Sequence, residues 1–264
     1  MLIVAERVNS SRKAISAAIT GKDADFIRAE AKAQAEAGAD YIDVNAGSFV
    51  GQELEYLCWL VETVQEATEV PLCVDSPSAE AIAAALERAK RPVMINSISL
   101  EESRMAGMLP LVKKYKGKIV ALCQSDAGIA STEGDKVKVA EQLVTRLTGE
   151  GVALDDIYID PLVYPIATDT GSAVAMLGAL GKIMEKFPGV HTICGLTNVS
   201  FGMPVRKLIN RTYLVAAMSQ GLDSVIIDPT DRELMAGLRA AEALLNRDKF
   251  CAEYIKAFRE GKLA

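Results

Sequence analysis

The chain has 264 residues, a formal net charge of −6, five cysteines and one histidine. Half of its residues are hydrophobic and 24% are charged, so it can bury a sizeable core and is not a disordered chain. The acidic balance argues against a phosphate-backbone binder, which needs clustered Lys and Arg, and a lone histidine excludes a multi-His metal site and leaves only His191 for any Ser-His-Asp triad.

In chain order, short apolar runs alternate with amphipathic stretches. LIVAERVN (2–9) precedes FIRAEAKAQAEAGA (26–39), and YIDVNAG (41–47) precedes ELEYLCWLVETVQEAT (53–68). PLCVDS (71–76) leads to AEAIAAALERA (79–89), and PVMINSIS (92–99) to ESRMAGMLPLVKKY (102–115). KIVALCQS (118–125) and DKVKVAEQLVTRLTGEG (135–151) follow, then IYIDPLV (157–163) and GSAVAMLGALGKIMEKF (171–187). HTICGLTNVS (191–200) with NRTYLVAAMSQG (210–221), and SVIIDPTD (224–231) with RELMAGLRAAEALLN (232–246), complete eight pairs. A final helix is predicted at 249–260. The apolar runs are rich in Val, Ile and Leu, as strands buried on both faces should be. Eight βα units predict a single-domain α/β fold over residues 1–264, a (β/α)8 TIM barrel. A doubly wound open sheet fits less well, because no GxGxxG follows the first strand. Gly38, Gly151 and Gly221 stand between helix and strand, where a left-handed residue ends a helix.

The cysteines (Cys58, Cys73, Cys123, Cys194 and Cys251) are scattered, with no CxxC pair. They read as mostly buried thiols in a reducing, cytoplasmic setting. The N-terminal MLIVAERVNS does not read as a signal peptide, and no apolar run reaches the length of a membrane span.

In a barrel of this kind the site lies at the C-terminal strand ends. There the sequence places Glu6, Arg7 and Asn9, then Asp43 and Asn45, Asp75 and Ser76, Asn96 and Ser97, Gln124 and Ser125. Asp160, Asn198, Ser200, Asp228 and Asp231 continue the ring. No Lys or His lies at these positions, so a Schiff-base lysine is not evident. A set of carboxylates and carboxamides suits a neutral planar ligand rich in N–H donors and ring acceptors, and a pterin fits. Plainer roles compete: Asp43 and Asn45 as strand-end residues bonding backbone, Asp75 as a helix N-cap, Asp160 as an Asp-Pro turn, Glu6 with Arg7 as an ion pair, and His191 as a structural residue at the barrel's bottom.

MLIVAERVN, GADYIDVNAG, PLCVDS, MINS, YIDPL, GLTNVS and LINRTYL, in this order and spacing, resemble the methyltetrahydrofolate:corrinoid protein methyltransferases. These belong to the pterin-binding superfamily with dihydropteroate synthase and the folate domain of methionine synthase. The resemblance spans roughly residues 1–260. It implies that Asp75, Asn96 and Asp160 anchor the pterin, with Asp160 also counted as catalytic. It puts Asn198 near N5 as the other catalytic residue and Arg206 after the same loop, with Ser97 and Glu6 as further matches. The implied reaction moves a methyl group between N5 of methyltetrahydrofolate and the cobalt of a corrinoid (cobalamin), in either direction. Tetrahydrofolate is then the substrate, and no bound metal is required. The DxHxxG corrinoid signature is absent, so the corrinoid should arrive on a partner protein. A homodimer is expected, with no nucleic-acid or membrane partner.

A tertiary amine leaves poorly unless N5 gains positive character. Asn198 can donate a hydrogen bond but no net proton, so either solvent or a carboxylic acid of raised pKa supplies it. The competing readings are a non-catalytic pterin-binding protein and a dihydropteroate synthase-like enzyme. Against the latter, SVIIDPTD lacks the basic pair that a diphosphate substrate needs.

Overall fold

The alternation of apolar runs and amphipathic stretches folds as a ring of parallel strands in a computed structural model that describes residues 1–263. Strand β1 (Leu2–Asn9) is followed by helices α1 (Lys13–Thr20) and α2 (Ala24–Glu36). Then come β2 (Tyr41–Asn45), α3 (Glu53–Ala67), β3 (Leu72–Asp75), α4 (Ala79–Leu86), β4 (Met94–Ile98) and α5 (Glu102–Tyr115). β5 (Lys118–Leu122) leads into an antiparallel hairpin, β6 (Gln124–Ser125) and β7 (Gly128–Ile129), before α6 (Glu133–Gly149). β8 (Ile157–Asp160), α7 (Ser172–Lys186), β9 (His191–Thr192), α8 (Arg206–Ser219), β10 (Ser224–Ile227), α9 (Arg232–Leu244) and α10 (Ala252–Arg259) follow.

The strand order β10-β1-β2-β3-β4-β5-β8-β9 is parallel throughout. A bridge from Gly195 to Ile226 brings the chain beyond β9 back onto β10. This is the expected (β/α)8 barrel. Successive strand residues point to opposite faces. Val4, Cys73, Met94, Val120, Tyr158 and Ile193 therefore pack inside the barrel. Ile42, Leu72, Ile95, Ile119 and Ile157 pack outward against the helices. None of these is more than 2% exposed, and burying such a side chain contributes about 1.5–3 kcal/mol. The barrel interior is thus a solid core, and polar chemistry is confined to its two ends.

Local signals set the helix starts. The side chains of Asp23, Ser78, Thr132 and Asp231 accept hydrogen bonds from the first-turn N–H groups of α2, α4, α6 and α9. Gly38, Gly151 and Gly221 all have positive φ, as the sequence implies.

Several elements differ from the predicted ones, four of them with a clear local cause. The seventh strand is only His191–Thr192, and Leu196–Ser200 is a 3-10 helix. Its backbone groups are met locally: the Asn198 N–H bonds Gly195 O, and the Phe201 N–H bonds Asn198 O. The sixth strand stops at Asp160, because Pro161 has no N–H and Leu162 takes φ 59°. The fifth stops at Leu122, where the chain turns into the hairpin. Helix α1 was not foreseen; its eight residues are a short window for helical periodicity, and its N-terminus carries no side-chain cap bond.

His191 lies at the bottom end, as expected. Its Nδ1 is 2.6 Å from Asp223 and its Nε2 is 3.1 Å from Asp155, and its ring stacks on Tyr158 at 4.7 Å. Burial pulls its pKa down, but the hydrogen bonds to Asp223 and Asp155 outweigh this, and the net shift is upward. A folded-state pKa above the unfolded one means stability that is present at low pH and lost as pH rises through the folded value. Compared with His191→Gln, the wild type should be more stable by roughly 1 kcal/mol or less below about pH 6.5, and the gap should close as pH rises. Thermal melts across this range check it; a gap that widens with pH contradicts the assignment.

Candidate functional site

A cavity of about 890 Å³ opens at the C-terminal strand ends. Its walls include Glu6, Asp75, Asn96, Asp160, Asn198 and Arg206, so six of the seven residues that the resemblance implies converge there. Ser97 does not line it; the Ser97 side of β4 is buried, and its carbonyl accepts from Arg104 Nε at 2.8 Å.

Asp75 ends β3. Its Oδ2 accepts from Asn45 Nδ2 at 2.8 Å, and Asn45 is oriented by the Gly47 N–H, 2.9 Å from its Oδ1. Asp75 does not cap the next helix; Ser78 does. Asp160 ends β8 and is 6% exposed. Its Oδ1 accepts from the Leu162 N–H at 2.8 Å, so the Asp-Pro turn and the cavity share this residue. Burial pushes both Asp75 and Asp160 up to about 6. Neighbouring donors restrain the rise: the Asn45 amide for Asp75, and the Leu162 N–H for Asp160.

Asn198 sits on the 3-10 helix after β9, held over Gly195. A Cβ added at Gly195 would stand 3.0 Å from Asn198 Nδ2, so a side chain there would push the carboxamide back by a few tenths of an ångström. Arg206 braces this helix from behind. Its Nη2 donates to Thr197 O at 2.8 Å and its Nε to Ser200 Oγ at 3.1 Å.

Glu6 and Arg7 are not paired with each other. The β1–β2 register shifts between Ala5 and Val8, so two consecutive residues both reach the mouth. Glu6 accepts from Arg12 at 3.2 Å and from Thr197 Oγ1 at 3.3 Å. Arg7 makes a two-pronged contact with Glu30, at 2.7 and 3.0 Å, and also reaches Asp228 at 3.1 Å.

Two cations were not visible from the strand ends, because helices carry them. Lys136 on α6 is fully buried. Its Nζ donates to the carbonyls of Ala130, Pro161 and Leu162 at 2.8, 2.7 and 2.7 Å. It ties the loop after Asp160 to the segment following β7, and burial lowers its pKa. Arg104 on α5 bonds the carbonyls of Ser76, Pro77 and Ser97, joining the loop after β3 to β4. The only sequence signal is a Lys or Arg on a helix stretch facing the strand ends. Among the described residues no three His, Cys, Asp or Glu side chains gather as a metal-holding group.

Residues 5–228 match the family model for pterin binding enzymes. The chain is 40% identical to the methylcorrinoid:tetrahydrofolate methyltransferase of Eubacterium limosum, over the whole of this chain and 98% of the other. It is 30% identical to methionine synthase of Mycobacterium tuberculosis over 86% of this chain, which spans about a fifth of that protein's length. Among solved structures it resembles dihydropteroate synthase from Clostridium difficile (TM-score 0.73, 18% identity, 92% of this chain and 96% of that one). The Xanthomonas albilineans enzyme is similar in fold (TM-score 0.69, 17% identity, 92% and 93%). The chain belongs to the pterin-binding enzyme family.

Replacing Lys136 by Met keeps an apolar stem but leaves three buried carbonyls without a donor. The expected cost is about 3 kcal/mol, near 1 kcal/mol per lost bond, or a fall in Tm of roughly 6–12 °C for a chain of this size. An unchanged melting curve would show that Lys136 does not hold the mouth together.

Proposed function

We propose that the cavity binds the pterin of tetrahydrofolate and that the protein moves a methyl group between N5 of (methyl)tetrahydrofolate and a corrinoid carried by a partner protein. The direction from methylcorrinoid to tetrahydrofolate is included. The observation that carries this reading is the joining of full-length 40% identity with a cavity whose walls carry carboxylates and carboxamides, Asp160 among them buried. When bound above the mouth, the corrinoid supplies the cobalt that gives up or takes the methyl group, so the protein needs no nucleophile of its own.

This chain's residues bind and orient. Asp160, with one oxygen held by the Leu162 N–H, has its second oxygen for the 2-amino and N3–H edge of the pterin. Asp75 and Asn96 hold the ring from the adjacent strands β3 and β4. Asn198, fixed on its braced 3-10 helix, donates to N5. A hydrogen bond that strengthens as N5 changes charge is worth more in the transition state than in the ground state. The strand-end loops after β9 and β10, with Phe201 and Val205 exposed, form the rim that the corrinoid carrier meets.

The same reading includes a homodimer in the cytoplasm. Five free cysteines, four of them buried, accord with a reducing compartment. Leu244, Phe250 and Phe258 are large apolar side chains exposed toward the C-terminus and available to a second copy.

Mixing the protein with methylcob(III)alamin and tetrahydrofolate should change the corrinoid spectrum as the methyl group leaves. No change, with free cobalamin and with corrinoid proteins alike, overturns the reading. Asn198→Ala should lower kcat by about 10–100-fold, the worth of one such hydrogen bond. Wild-type transfer by that variant would remove Asn198 from N5.

Because Asp75 and Asp160 titrate at about 6, they accept N–H bonds above that pH and lose this capacity below it. KM for tetrahydrofolate should therefore rise as pH falls through about 6. Asp160→Asn should raise KM above about pH 6, converge on the wild type below it, and so blunt that acid limb. A KM flat from about pH 5 to 8 would contradict both assignments.

A further inference from the structure

Asp43 is the one buried carboxylate of the cavity that the proposed pterin contacts leave unused. It lies on β2, opposite Cys73 of β3 and two residues below Asn45, and lines the cavity floor. It is 2% exposed. Its Oδ1 is buried and has no hydrogen-bond partner among the described residues.

The groups that face it come from four strands: Glu6 of β1, Cys73 and Asp75 of β3, and Asn96 of β4, with Asn45 above it on β2 itself. None carries positive charge. The nearest cations are already engaged: Arg104 with three carbonyls and Arg12 with Glu6. An ionised Asp43 would thus be a buried anion with an unmet oxygen beside the carboxylate of Asp75. Either condition alone costs several kcal/mol. A proton on Asp43 removes both and turns an acceptor into an O–H donor. Burial and the Asp75 charge both push its titration well above the ordinary carboxylate range.

We propose that Asp43 is a positioning residue that works as a neutral carboxylic acid, donating its O–H from the cavity floor to the bound ring or to a water beneath it. This deepens the pterin reading and rests on it for the identity of the ring. The floor then carries the charges of Asp75 and Asp160 without a third, which suits a neutral heterocycle better than a cation. It also offers a donor where every other carboxyl is an acceptor, so it selects for a ring with an acceptor atom on its lower edge.

Two measurements test this, one without ligand. At about pH 8, where groups titrating near 6 are ionised, the infrared spectrum of the free protein should contain a protonated-carboxyl C=O band. That band should shift in heavy water and vanish in Asp43→Asn. A band that persists in the variant, or no such band in the wild type, overturns the proposal. The second measurement is calorimetric binding of tetrahydrofolate. Asp43→Asn mimics the protonated acid in shape and keeps a donor, so its affinity should stay within about threefold of wild type. Asp43→Ala should lose about tenfold, the value of one buried hydrogen bond. Wild-type affinity should decline as pH rises through the titration of Asp43, and Asp43→Asn should not follow. If Asp43→Asn binds as weakly as Asp43→Ala, the ionised form is the working one and the proposal fails. If the wild type binds no tetrahydrofolate while the band behaves as expected, the pterin reading fails and the neutral acid stands. Circular dichroism of both variants identifies any loss that comes from misfolding.

Discussion

The ends of strands β3, β4, β8 and β9 are held in shape by three cations, Lys136, Arg104 and Arg206, that bond main-chain carbonyls. Lys136 takes three carbonyls from two loops, Arg104 takes three from the β3 and β4 ends, and Arg206 takes Thr197 O and Ser200 Oγ. Strand ends necessarily leave backbone groups unpaired, and buried ones must find partners. A lysine or arginine satisfies several acceptors at once, at fixed distances, from one side chain. The positions of Asp160, Asp75 and Asn198 follow from these three clips, because each sits within a few residues of a clipped carbonyl.

That arrangement has an electrostatic consequence. Arg104 and Lys136, the cations that act on Asp75 and Asp160, are bonded to neutral carbonyls, so these two carboxylates lie at the strand ends without a direct ion pair. Asp75 and Asp160 rise to about 6 for this reason. Glu6 shows the limit: burial raises it, while the Arg12 guanidinium pulls the other way. Had Lys136 or Arg104 paired directly with Asp160 or Asp75, each acid would be held low and would be an ion-pair member, unable to bind an uncharged donor edge. The site is therefore acid-rich without being strongly anionic, which matches a flat ligand that brings N–H groups and little charge.

Much of this was legible in the sequence, and the failures have physical causes. The eight βα units were readable because strands buried on both faces leave unbroken Val and Ile runs. Asp75, Asn96 and Asp160 were readable because polar residues end such runs. The seventh strand was misjudged: HTICGLTNVS is apolar enough for a strand, but Gly195 admits a close turn and the backbone closes on itself as a 3-10 helix. Lys136 was hidden because its helix gives an ordinary amphipathic pattern, and a lysine there looks solvated until the loop carbonyls are located in space. Glu6 and Arg7 read as an ion pair because they are neighbours in sequence, but a local register shift brings both to the mouth, where each finds another partner.

The single histidine shows why such a site needs buried acids. His191 is committed to Asp155 and Asp223 at the opposite end of the barrel, so no imidazole can exchange a proton at N5. A carboxyl that lends a proton to the pterin network at pH 7 must first hold one. For an aspartate at its ordinary value near 3.9 that costs about 4 kcal/mol, whereas for Asp160 at about 6 it costs about 1.4 kcal/mol, at 1.36 kcal/mol per pH unit. Burial thus lowers the cost by about 3 kcal/mol while leaving the group ionised most of the time, ready to accept N–H bonds. An acid poised one unit below neutrality can take up or release a proton with similar ease.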